Sequence, residues 1–130
     1  MGLLLETGLR DALADEIDNY INTLGTAPHL MFETVANAEV ADIVMSTTNA
    51  FGASSNGTIT MTGQPLSDTN AAGGTIDHFC IYANAGQTNK VLTGSVGTSG
   101  ESINITNLTI TATETVELTS FTITVPAGAV

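Results

Sequence analysis

Apolar residues early in the chain fall at Leu9, Leu13, Ile17, Tyr20, Ile21 and Leu24, the spacing of one stripe along an α-helix. The spacing predicts an N-terminal amphipathic helix over about 7–24, with Thr7 as N-cap, Gly25 as the C′ residue and Pro28 beyond it to prevent continuation. After Gly25 the period changes to alternation. Leu30 and Phe32, Ile59 and Met61, Phe79 and Ile81, Ile103 and Ile105, Leu108 and Ile110, Val116 and Leu118, then Phe121, Ile123 and Val125, are each separated by polar or small residues. Short alternating runs divided by Gly, Asn and Ser clusters read as strands.

Two places break this register. The inward set moves from odd to even positions between Ile105 and Leu108, and back between Leu118 and Phe121, so each place needs a bulge or a bend. Strands that bend and change sheet partner fit a jelly-roll-like architecture. The expected fold is therefore all-β, an antiparallel β-sandwich over about 27–126 carrying one N-terminal α-helix, in a single domain of 130 residues. In so small a domain, Leu9, Leu13, Ile17 and Ile21 are expected to close one open end of the sandwich.

Charge narrows the partners. Two basic residues, Arg10 and Lys90, stand against thirteen acidic ones, for a net charge of −11. Nucleic acid is not an expected partner, because a phosphate backbone is bound through clustered Lys and Arg. An anionic membrane surface is disfavoured for the same reason, and no apolar run approaches the length of a span. The leading run Leu3, Leu4, Leu5 has no basic flank, and Glu6 stands where myristoylation wants Ser or Thr. Asp11, Asp15, Glu16 and Asp18 form an acidic band on the helix. Leu3, Leu4 and Leu5 with Asp11, Asp15 and Asp18 are the candidate partner interface.

Candidate chemistry is sparse. The stretch "LTGSVGTSGESINI" has glycines at Gly94, Gly97 and Gly100, but no lysine of a P-loop, no helix after it, and Thr93 where a nucleophile elbow needs glycine. It reads as a turn between strands. Asn56, Asn104 and Asn107 open Asn-x-Thr sequons, which arise easily in a Thr- and Asn-rich chain. The single Cys80 forms no internal disulfide. His78 and Cys80 share a strand face and His29 lies on another strand, but Asp77 is read as pointing away from His78, and the paired-ligand spacing of structural zinc sites is absent. Asp42 and Glu33 lie in apolar neighbourhoods without forming an acid–base pair. No metal, no cofactor and no enzymatic activity are expected.

Leu92 to Gly128 resembles the head decoration, or cement, proteins of tailed bacteriophages, in which a GSVGTSG turn precedes a terminal TSFTITxP strand. The matching residues are Gly94 to Gly100, Thr119 to Thr124 and Pro126. Phe79 to Gly86, "FCIYANAG", is similar to the strand and turn before that motif. Thr113 and Glu114 stand where such proteins carry glycines before the penultimate strand. The resemblance implies a jelly-roll-like protein made in the host bacterial cytoplasm, attached to the outside of the virion head and bridging copies of the major capsid protein. Self-association as a dimer or trimer would multiply weak shell contacts. The alternative is a carbohydrate- or receptor-binding module of a phage fibre or tail. With no Trp and only Tyr20 and Tyr82, that reading rests on Tyr82 as a stacking platform.

Overall fold

The computed structural model describes residues 2–24 and 27–128; the C′ position read at Gly25 lies outside the described residues. The helix α1 (Thr7–Leu24) covers the span its periodicity marks. The Arg10 amide donates to the Glu6 carbonyl at 3.0 Å, so Glu6 rather than Thr7 takes the N-cap place, because it accepts the first intrahelical bond. No helix among the described residues is long and apolar enough to cross a membrane.

The strands are β1 (His29–Glu33), β2 (Glu39–Val44), β3 (Thr58–Thr60), β4 (Leu66–Asp68), β5 (Gly74–Thr75), β6 (His78–Asn84), β7 (Thr88–Gly97), β8 (Ile103–Asn104), β9 (Thr109–Ile110), β10 (Val116–Leu118) and β11 (Thr122–Thr124). The largest sheet has the order β2-β1-β6-β7-β8, and three two-stranded ribbons pair β4 with β10, β3 with β11 and β5 with β9. Among the described residues one strand pair departs from the antiparallel expectation: β7 and β8 run parallel, with Val96 opposite Ile103 and Gly97 opposite Asn104. Parallel neighbours ordinarily need a long crossover. Here the pairing is only two residues long, and Gly100, at φ 72°, turns the short loop that makes it. The glycine-rich stretch is thus the end of β7 and a turn.

Both predicted breaks in alternation are changes of partner. The chain leaves β8 in the large sheet for β9, which pairs with β5, and later leaves β10, paired with β4, for β11, paired with β3. The turn before β10 carries a cost. Thr113 sits at φ 72°, in the left-handed region where a β-branched residue is strained, held there as its amide donates to the Ala71 carbonyl at 2.8 Å. Thr113→Gly is expected to raise stability by about 1 kcal/mol, read as a higher urea midpoint at unchanged slope. An unchanged or lower midpoint would show that the strain is absorbed elsewhere.

The inward residues of the large sheet, Leu30, Phe32, Ala41, Ile43, Phe79 and Ile81, form one core with Phe51, Ile59, Met61, Val116, Leu118 and Phe121 from the ribbons and loops. Phe121 is its hinge: its ring lies 5.3 Å from Phe79 in a T-shaped contact and 6.1 Å from Phe51, both favourable arrangements.

The helix joins this core by the Ile17 and Ile21 edge of its expected stripe, rotated so that Leu9 and Leu13 face outward. Ala14 and Ile21 are fully buried and Ile17 partly so, while Leu9, Leu13, Tyr20 and Leu24 are exposed. Polar anchors cause the rotation. The Asp11 carboxylate accepts from the Gly57 amide at 2.6 Å, Asp15 from Ser54 at 2.9 Å and Asp18 from Phe51 at 3.0 Å. Arg10 donates from Nε to the Val125 carbonyl at 2.9 Å and from Nη2 to the Asn56 carbonyl at 2.8 Å. Gly57, at φ 76°, leaves room for Arg10, since a Cβ there would stand 2.9 Å from both Nε and the Val125 carbonyl. Charge-assisted bonds to otherwise orphaned backbone groups outweigh the burial of flexible leucines.

Candidate functional site

Two surfaces carry features beyond folding: the outer face of the large sheet and the outer face of the helix. On the sheet, alternation turns His29, Met31 and Glu33 of β1 outward together with His78, Cys80 and Tyr82 of β6. The register sets His29 opposite Tyr82, Met31 opposite Cys80 and Glu33 opposite His78. An outward face is normally wet. This one is not: Met31, Cys80 and Tyr82 form a small buried cluster and Glu33 is 0% exposed.

Tyr82 is the cover. Its hydroxyl donates to Glu33 Oε2 at 2.6 Å, four strand positions from its own register partner, so the ring lies along the sheet above Met31 and Cys80. Gln87, in the turn between β6 and β7, donates from Nε2 to the same Oε2 at 2.6 Å and to the Asn37 carbonyl at 2.9 Å. The Lys90 ammonium stands 5.9 Å from the Tyr82 ring centre. The second oxygen, Oε1, receives His78 Nε2 at 2.9 Å and the Cys80 thiol at 3.3 Å. Thr93 Oγ1 lies 3.4 Å from the same sulfur.

Burial pushes the Glu33 carboxyl up, but the hydrogen bonds from Tyr82, Gln87, Cys80 and His78 outweigh it and hold it below the ordinary carboxylate value. Burial, reinforced by the bond to Glu33, pushes the Tyr82 phenol well above its usual range, so it remains a donor. The His78 Nδ1 faces Asp77 Oδ2 at 2.9 Å. With carboxylates at both ring nitrogens, only a ring carrying both protons donates to both.

Asp77 therefore reaches His78, against the expectation that it points away. It precedes β6, so strand alternation does not govern it. His29 does not join this group; its Nδ1 sits 2.7 Å from Asp42 Oδ1. The Asp42 amide in turn donates to Asp68 Oδ2 at 2.9 Å. Glu39, on the same sheet edge, has its carboxyl pushed up by burial and by the negative charges of Asp42 and Asp68. Sequence reasoning missed Gln87 and the hydroxyl role of Tyr82, and noted Glu33 for its apolar surroundings without joining it to His78 and Cys80. The parity of Glu33 with His29 and Met31 was visible, but which β6 residues it meets depends on register.

On the helix, Leu9, Leu13, Tyr20 and Leu24 are exposed, as are Leu3 and Leu4 in the segment before it, with exposure from 37% at Leu24 to 79% at Leu3. Leu13, Ile17, Tyr20 and Val91 line a shallow groove with Glu16 at its rim. Of the candidate interface residues, Leu3 and Leu4 are exposed. Leu5 is half-buried and its amide donates to the Ala127 carbonyl at 2.7 Å. Asp11, Asp15 and Asp18 are occupied by the backbone of residues 51–57. Tyr82, proposed as a sugar platform, has its ring covered, whereas Tyr20 presents its own to solvent.

Comparison with family models, with curated proteins and with solved structures finds no match to this chain.

Proposed function

We propose that this chain acts by binding, as a decoration protein on the outside of a tailed-phage head, and that it docks on the major capsid protein through the outer face of α1. One observation carries the reading: the helix is anchored by polar contacts that leave Leu3, Leu4, Leu9, Leu13, Tyr20 and Leu24 uncovered. An apolar stripe held in place and not used for folding is a partner surface. The β-rich fold and the turn at Gly94 to Gly100 agree with the resemblance, which implies a jelly-roll-like arrangement of the strands. Copies joined as a dimer or trimer strengthen attachment through avidity.

The test is decoration of stripped heads of the phage that encodes the chain. Leu13→Asp with Tyr20→Asp is expected to abolish attachment while the melting temperature changes little, because both side chains are exposed. With a net charge of −11, attachment is also expected to slow as salt rises, since exposed charges steer only within about 8 Å at physiological ionic strength. Wild-type occupancy by the double variant, or purified virions lacking the chain, would overturn the reading.

A further inference from the structure

We propose that Glu33, His78 and Cys80 form a binding site for a thiophilic divalent cation of the Zn²⁺ type, on the outer face of the large sheet and separate from the helix surface. The carboxylate oxygen, imidazole nitrogen and sulfur all lie within 4.8 Å of one another. Around zinc, bond lengths near 2.0–2.3 Å place tetrahedral ligands about 3.4 Å apart. The present separations from Oε1, 2.9 Å to His78 Nε2 and 3.3 Å to Cys80 Sγ, reach that spacing by movements of a few tenths of an ångström. Glu33 and His78 are a register pair and Cys80 is two residues along the same strand, so the sheet itself sets the three donors.

The surroundings divide as a metal site requires. Oε1 touches only its co-ligands, whereas Oε2 is held by Tyr82 and Gln87, which aim the carboxylate. His78 presents Nε2 inward and gives Nδ1 to Asp77, the carboxylate–histidine–metal arrangement that orients a ligand and raises its basicity. The donor set selects the cation: thiolate and imidazole favour Zn²⁺, Co²⁺ or Cu over Mg²⁺ and Ca²⁺, which take oxygen. The fourth position is left to water on the His78 side, where that side chain is 19% exposed.

Protons balance. Binding replaces the thiol proton of Cys80 and the Nε2 proton of His78, while the Nδ1 proton stays on the bond to Asp77. Two protons leave as the cation enters, so affinity falls as pH falls. The bound cation meets the negative charges of Glu33 and the Cys80 thiolate, leaving the pair neutral with it.

The experiment titrates Co²⁺ into the untagged, chelator-treated full-length chain and follows the near-ultraviolet thiolate-to-cobalt charge-transfer band. One Co²⁺ per chain, displaced by Zn²⁺, is expected. Cys80→Ser should abolish the band. Asp77→Asn, at an exposed residue outside the core, should weaken binding about 10–100-fold. Zn²⁺ should raise the melting temperature of the wild type but not of Cys80→Ser. If the folded wild type gives no thiolate band, or if Cys80→Ser binds Co²⁺ as tightly as wild type, the cluster is a hydrogen-bonded plug and the proposal fails.

Discussion

Replacing Asp11, Asp15 and Asp18 together by alanine is expected to release α1 from the loop of residues 51–57 and to destabilise the protein by about 3 kcal/mol or more. Each carboxylate accepts one backbone N–H, from Gly57, Ser54 and Phe51, and a hydrogen bond to a charged group contributes about 1.5 kcal/mol even at the low end. A loss of that size is a large share of the 5–15 kcal/mol typical of a domain. The triple asparagine variant retains an oxygen at each position and is expected to keep most of the stability. Urea melts measure the difference, and amide exchange at Phe51, Ser54 and Gly57 locates it. Equal midpoints for the alanine and wild-type chains would mean that the Arg10 bonds and the packing of Ala14, Ile17 and Ile21 hold the helix without the carboxylates.

Glu33→Ala is expected to cost about 3–5 kcal/mol, the penalty for removing one partner of a buried charged group. Tyr82, Gln87, Cys80 and His78 all aim donors at this one carboxylate, and the buried Tyr82 hydroxyl and Cys80 thiol lose their carboxylate partner without gaining water. The pH dependence follows from the same geometry. Because the folded-state value is depressed, the carboxylate stabilises the fold above the ordinary carboxylate range, and that contribution is lost as pH falls through the depressed value. Glu33→Gln is therefore expected to be less stable at neutral pH but to show a flatter decline on acidification. Parallel melting curves for wild type and Glu33→Gln across pH 7 to about 3 would show that Glu33 is not the titrating group.

The span of α1 and the inward pairs Leu30 and Phe32, Phe79 and Ile81, and Val116 and Leu118 were legible because periodicity is local. Ile17 and Ile21 of the helix stripe pack inward as expected, but Leu9 and Leu13 do not, because the helix orientation is decided by partners such as Gly57 and Val125, distant in sequence. Asp11, Asp15 and Asp18 showed as a band on one side, but backbone amides have no sequence signature, so a solvated or docking face was the natural reading. The Glu33 cluster was hidden for a related reason. Its members span 33 to 87, and only the pairing of β1 with β6 brings them together. Breaks in alternation were visible and read as changes of sheet partner, whereas which strands are joined, β9 to β5 and β11 to β3, was not.

The pairing of β3 with β11 also sets an order of events during synthesis. Thr58 and Thr124, whose hydroxyls meet at 2.7 Å, are 66 residues apart, and at about 5–20 residues per second the later partner follows the earlier by roughly 3–13 s. Until then Phe51 lacks the Phe121 ring, the Met61 amide lacks the Phe121 carbonyl, and Arg10 lacks the Val125 carbonyl. The nascent chain therefore passes several seconds with the edge of β3 and its apolar side chains open to other chains. Yield during expression depends on that interval, so slower translation of residues 61–121 should increase aggregation without altering the stability of the finished protein.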